Sequence, residues 1–123
     1  MRIYDAATRQ ESNTVEEYKT SVDVGKVRLG SSHLFFRSGR KVYSVAYQEI
    51  TRCFRRVLLV PMRVCCGRGE LQVENLVIWN DQGEIAQIQL PDTRVAKKLM
   101  EELREKVPDA EFTCPPRAED TNH

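Results

Sequence analysis

Gly25-Lys26-Val27-Arg28-Leu29-Gly30-Ser31-Ser32-His33-Leu34-Phe35-Phe36-Arg37-Ser38-Gly39-Arg40-Lys41-Val42-Tyr43-Ser44-Val45-Ala46 is the stretch that decides the fold. Val27 and Leu29 alternate with Lys26 and Arg28, a period of two that puts one side of a strand in a core. Gly30-Ser31-Ser32 breaks that strand. His33 to Arg37 is a second short apolar run, Ser38-Gly39-Arg40 is a turn, and Lys41 to Ala46 is a third strand rich in β-forming residues. Strand plus turn recurs about every 8 to 10 residues, which suits sandwiches and small barrels. Parallel strands joined by crossover helices need longer connections. The segment therefore reads as an antiparallel meander.

Toward the C-terminus, Tyr47-Gln48-Glu49-Ile50 reads as a single turn, and Thr51 to Val64 is apolar and basic. Pro61, which has no amide hydrogen for a ladder, is expected to end the strand and leave an edge strand or loop after it. Gly67-Arg68-Gly69 reads as a break. Leu71 to Trp79 is the next strand, Asn80-Asp81-Gln82-Gly83 a hairpin turn, and Glu84 to Leu90 the return strand. Period two slips within that return. A bulge, or burial of Ile88 and Leu90 with Ile85 at the turn, reconciles it.

Asp92 or Thr93 then caps a helix in which Val95, Ala96, Leu99, Met100, Leu103 and Val107 form one apolar stripe. Lys97 with Glu101, Lys98 with Glu102 and Glu102 with Lys106 make its solvated face. Pro108 stops it. Ahead of the meander, Thr14-Val15-Glu16-Glu17 fits a capping box at the start of a short helix. The chain divides into an N-terminal arm or short helix (1–24), one domain (25–107) and a flexible C-terminal tail (108–123). The expected fold class is mainly β with one C-terminal α-helix: a bent antiparallel sheet, or partly open barrel, of six or seven strands capped by the helix.

That order of strands and final helix resembles the pleckstrin-homology-like superfold, including its GRAM-type and small bacterial versions. The closest local likeness is Gly25 to Phe36, similar to the first hairpin of those domains, followed by Val45-Ala46-Tyr47-Gln48-Glu49-Ile50, which looks like their third strand and short turn. The likeness covers Gly25 to Val107 and contains no reactive motif. It implies a binding module for a protein or peptide partner, not an enzyme. Lipid-binding members gather cations around the loop joining strands one and two, because phosphates need several donors on one patch. Here that loop is Gly30-Ser31-Ser32, with no cation in it.

Composition narrows the function further. The 123 residues hold 41% hydrophobic and 30% charged side chains with a formal net charge of +1, an ordinary globular balance that gives no global pull toward nucleic acid or membrane. The longest apolar run, Val57-Leu58-Leu59-Val60-Pro61-Met62, is far short of the roughly 20 residues of a membrane helix. Met1-Arg2-Ile3-Tyr4-Asp5 leads into polar sequence and not into a leader's apolar segment, so a cytoplasmic location is expected. Charge is unevenly spread. Residues 37–68 carry eight basic side chains against Glu49 alone, and residues 69–123 carry six basic against twelve acidic.

Two readings of that asymmetry stand side by side. Arg52, Arg55, Arg56, Arg63 and Arg68 are candidates for an anionic surface that meets lipid or RNA, with Phe54 as a stacking group. Alternatively, the basic middle faces the acidic final third within the fold. Strand alternation separates Arg52, Phe54 and Arg56 from Cys53, Arg55 and Val57.

No catalytic constellation is found: His33 stands at a strand end with no nucleophile motif beside it, and no phosphate loop or nucleophile elbow appears. The four cysteines, Cys53, Cys65, Cys66 and Cys114, lack the paired spacing of a zinc site, so neither metal nor cofactor is expected. A thiol or metal role at Cys65-Cys66, completed by Cys53, is the weakest alternative. Trp79, with Tyr43 and Tyr47, lines a ligand groove or else packs in the core. A homodimer through an uncovered sheet edge is a further candidate.

Overall fold

The structure is a computed structural model that describes residues 1–64 and 67–114, the side chains of 62–64, 68 and 70 excepted. It is mainly β with a C-terminal helix, as the strand pattern and apolar stripe require. Nine strands form among the described residues: β1 (Ile3–Asp5), β2 (Glu11–Ser12), β3 (Val22–Val24), β4 (Val27–Leu29), β5 (His33–Ser38), β6 (Lys41–Ala46), β7 (Arg52–Val64), β8 (Gly67–Asn80) and β9 (Gly83–Leu90). Two helices accompany them, α1 (Val15–Thr20) and α2 (Thr93–Lys106), with a 3₁₀ turn at Tyr47–Glu49. The strands make a six-stranded sheet in the order β2-β1-β6-β5-β4-β3 and a three-stranded sheet in the order β7-β8-β9, and they are not closed into a barrel.

The strand count exceeds the expected six or seven because residues 1–24 supply three short strands around α1. β1 runs parallel to β6, and β3 pairs antiparallel with β4, so the division at residue 25 falls inside a hairpin turn. None of these strands is longer than 3 residues, too short for period two to show.

One core lies between the sheets and α2. It holds Val27, Leu29, Leu34, Phe36 and Val45 from the first sheet, Cys53, Leu76, Ile78, Ala86, Ile88 and Leu90 from the second, and Ala96, Leu99, Met100 and Leu103 from α2. The Asp92 carboxylate caps α2 by accepting from the Val95 amide at 2.8 Å. A smaller cluster of Ile3, Phe35 and Val42 sits on the sheet's other face, where Val15 and Tyr18 of α1 pack against it. Phe35 meets Tyr18 edge to face, ring centroids 5.3 Å apart.

Two local expectations are corrected, at Pro61 and at Gly67-Arg68-Gly69, whereas the slip within Glu84–Leu90 is a bulge as expected. Pro61 does not end β7, which pairs with β8 from Arg52↔Trp79 through to Val64↔Gly67. The proline is tolerated because β7 is the edge of its sheet and its nitrogen side has no ladder to supply. Gly67-Arg68-Gly69 likewise opens β8 and does not break the chain. On β9, Ile78 faces Ala86 while Trp79 faces Glu84, which leaves Ile85 as the extra residue and turns Ala86, Ile88 and Leu90 inward. The tail is docked at its start: the Cys53 amide donates to Glu111 at 2.8 Å and the Glu111 amide to Thr51 at 3.0 Å, a parallel bridge beside β7.

Candidate functional site

β7 and β8 outrun the rest of their sheet. β9 stops where Leu90 faces Glu74, so among the described residues Val57–Val64 and Gly67–Glu74 form a two-stranded arm that β9 reaches only at Glu74. This arm is about 25 Å long at roughly 3.3 Å per residue. Directly opposed residues of an antiparallel pair project from the same face. One face of the arm therefore stacks Leu58 with Val73 and Val60 with Leu71, all aliphatic. The opposite face mixes Val57 with Glu74 and Leu59 with Gln72. The exposures are large for such residues: Leu58 39%, Leu59 58%, Val60 41% and Leu71 50%. Burial of side chains like these is worth about 1.5 to 3 kcal/mol each, a driving force for association that the chain leaves unused.

Arg52, Arg55 and Arg56 do not converge on one patch. Arg55, on the core side of β7, makes a two-pronged contact with Glu74, which also accepts from the Thr93 hydroxyl at 3.0 Å. Glu74 is 5% exposed in its side chain, and the guanidinium bonded to it, despite the opposing effect of burial, holds its carboxyl below the usual carboxylate range. Arg52 pairs with Glu111 at 2.6 Å and donates to the Thr113 carbonyl.

Arg56 lies over the Phe54 ring at 5.6 Å and bonds Gln87 and Glu84 at 2.6 and 3.1 Å. Thus Phe54 is a covered residue, 2% exposed, and is not offered for stacking on a base. All three carboxylate partners come from the acidic final third of the sequence. Arg63 and Arg68 face each other in register at the far end of the arm, about 23 Å from Arg56 along the strand.

A concavity of about 570 Å³ opens between the Gly30–Ser32 turn, the Tyr47–Ile50 turn and the end of α2. Ser31, Ser32, His33, Gln48, Lys106 and Asp109 give it polar walls. The residue that organises it was read differently from the sequence. Glu17 does not complete a capping box, and Thr14 makes no side-chain cap. Its carboxylate instead reaches across to accept from the Ser32 and His33 amides at 2.8 and 2.6 Å, and meets His33 Nδ1 at 2.9 Å. Burial opposes ionisation of Glu17, but these hydrogen bonds and the imidazole outweigh it and lower its pKa.

Gly30 is where this contact requires glycine, because a Cβ there would collide with the Glu17 carboxylate. Tyr47 closes the floor by donating to the Gly30 carbonyl at 2.8 Å. Nothing short of the tertiary structure pairs Glu17 with a turn fifteen residues later, so the sequence carried no signal for it.

Cys53 is fully buried, and burial pushes its thiol up to about 12, against a small opposing effect of Arg104, so it is a packing residue with little thiolate. Cys65 and Cys66 lie outside the described residues. Among the described residues no three His, Cys, Asp or Glu side chains are grouped to hold a metal. The three aromatics have separate partners: Tyr43 stacks on Phe36, Tyr47 bonds Gly30, and Trp79 stands in the other sheet between Arg52 and Glu84. No helix among the described residues is long and apolar enough to cross a membrane. Comparison with known proteins returns no match to any family model, curated protein or solved structure.

Proposed function

We propose that the chain is a binding module for a protein partner, of the pleckstrin-homology-like kind, and that the β7–β8 arm is its docking element. The observation that carries this reading is the arm's aliphatic face, on which exposed Leu58, Val60 and Leu71 stand beside half-buried Val73, held out beyond the sheet. A two-stranded ribbon is marginal by itself, and contact along one face or edge supplies the third layer it lacks. The binding mode is strand addition or face packing by a segment that presents aliphatic residues. The reading does not use the arginines, since Arg52, Arg55 and Arg56 are each engaged by a carboxylate.

The test is affinity capture from a lysate of the source cell with the wild-type chain and with Leu58→Lys/Leu71→Lys. Circular dichroism verifies that the variant is folded. The expected result is a set of captured proteins lost with the variant. An identical set for both chains overturns the reading.

A further inference from the structure

Lys26, Arg28 and Arg37 line one hollow of about 220 Å³ on the face of the six-stranded sheet turned away from the shared core. Strand register brings them there. Arg28 stands opposite Phe35 and Arg37 opposite Val42, both members of the smaller cluster beneath α1, and Lys26 comes from the turn between β3 and β4. This is the end of the β4–β5 hairpin remote from the Gly30–Ser32 loop. Three cations on so small a face repel one another, and among the described residues none is paired with a carboxylate. In the other sheet Arg52, Arg55 and Arg56 each hold one. Arg28 is moreover fixed in place: its Nε donates to the Ser21 hydroxyl and its Nη2 to the Ser21 carbonyl, both at 2.8 Å, and the guanidinium lies over the Tyr18 ring at 5.2 Å. Its Nη1 amino group has no bond among the described residues, so it offers donors whose ordering cost is already met.

We propose that this hollow binds a phosphate monoester, its oxygens held by Arg28 Nη1, the Arg37 guanidinium and the Lys26 ammonium. Asp23 is the one carboxylate among the lining residues, so the three cations keep a net charge of two. A phosphate monoester near neutral pH carries about two negative charges and three acceptor oxygens, which matches both the charge and the number of donors. A carboxylate has one charge and two oxygens and would leave a cation without a partner. The site uses no residue of the β7–β8 arm and does not depend on what the arm binds.

Amide chemical shifts of the full chain, followed while inorganic phosphate replaces chloride at constant ionic strength, test the proposal. The expected result is a saturable change centred on Lys26, Arg28 and Arg37. Arg37→Ala is expected to weaken phosphate roughly tenfold. Lys98→Ala, which removes an exposed cation of α2, leaves the affinity unchanged, and Asp23→Asn raises it roughly threefold. No saturable change, changes spread over cations elsewhere, equal losses in Arg37→Ala and Lys98→Ala, or a weakening by Asp23→Asn overturns the proposal. The shifts of the native chain decide even where a variant misfolds. Glycerol 3-phosphate, and phosphatidylcholine vesicles with and without phosphatidic acid, separate the two sources of such a group. Binding of the free ester alone assigns a soluble ligand. Vesicle binding that requires phosphatidic acid and falls in Arg37→Ala assigns a lipid headgroup. Binding of neither overturns the proposal.

Discussion

The same face of the same two strands meets two fates. At the base of the β7–β8 hairpin Phe54 and Val77 stand opposed and are 2% and 0% exposed, and Arg56 lies over the Phe54 ring, tied to Glu84 and Gln87. Four residues further along β7, Leu58 faces Val73 with no such cover. Residue type is not the difference, since both pairs are apolar. What changes is the neighbour: β9 supplies Glu84 and Gln87 at the base, and β9 has ended before the arm begins. Long polar side chains seal an outer sheet face only where an adjacent strand gives them something to hold.

The largest effect expected from this contrast is Leu76→Ala. Leu76 is fully buried in the shared core, and the substitution should cost about 3 to 4 kcal/mol by chemical denaturation, through lost transfer energy and a cavity. Leu59→Ala in the arm should stay within about 0.5 kcal/mol, and a comparable loss there would mean the arm is packed after all.

Next in size is the loss of the Arg55–Glu74 pair. Glu74→Ala should cost about 2 kcal/mol by leaving Arg55 without its partner, less than a fully buried pair because Arg55 keeps partial access to water. The same pair gives a pH dependence. Glu74 and Glu17 both have folded-state pKa values lowered from the ordinary 4.5, so their contribution is complete above that range and is lost as pH falls through the folded values. Thermal midpoints measured from pH 7 downward should drop on acidification, and Glu74→Gln should flatten that drop. An unaltered slope in the variant would remove Glu74 as a cause.

Gly30→Ala should cost about 1 to 2 kcal/mol through the collision with Glu17, and the penalty should shrink in a Glu17→Ala background. A penalty independent of Glu17 would place the strain in the backbone. The smallest effect is at the cover itself: Arg56→Ala should cost about 0.5 to 1 kcal/mol. It should also raise the exchange rate of amides around Phe54, making the base of the hairpin more like the arm.

How much of this could be read from the chain alone depended on range. The meander from Lys26 to Ala46, the Asn80–Gly83 turn and the Asp92-capped helix are written in local periodicity, and the sheets and α2 follow it. Irregular β9 was legible too, because Ile85 breaks the alternation that Ile88 and Leu90 keep. Strands of two or three residues near the N-terminus are held by partners far away and have no period to show. Pro61 misled because an edge position is a tertiary fact. Strand alternation did separate Arg55 from Arg52 and Arg56, but their carboxylate partners are 19 or more residues distant and only the fold selects them. The protruding arm was hidden as well: an apolar run looks the same whether a neighbour covers it or not.

β1 lies against β6 in parallel, with Ile3 level with Val42. Closing that separation is slow compared with forming the β5–β6 hairpin, whose turn brings its strands together locally. β1 is thus among the last strands seated, since its neighbour β6 lies far along the chain and is still untranslated when β1 emerges from the ribosome. Until β6 has left the exit tunnel, Ile3 has no lodging against Phe35 and Val42, and β1 waits loose for a sheet that does not yet exist.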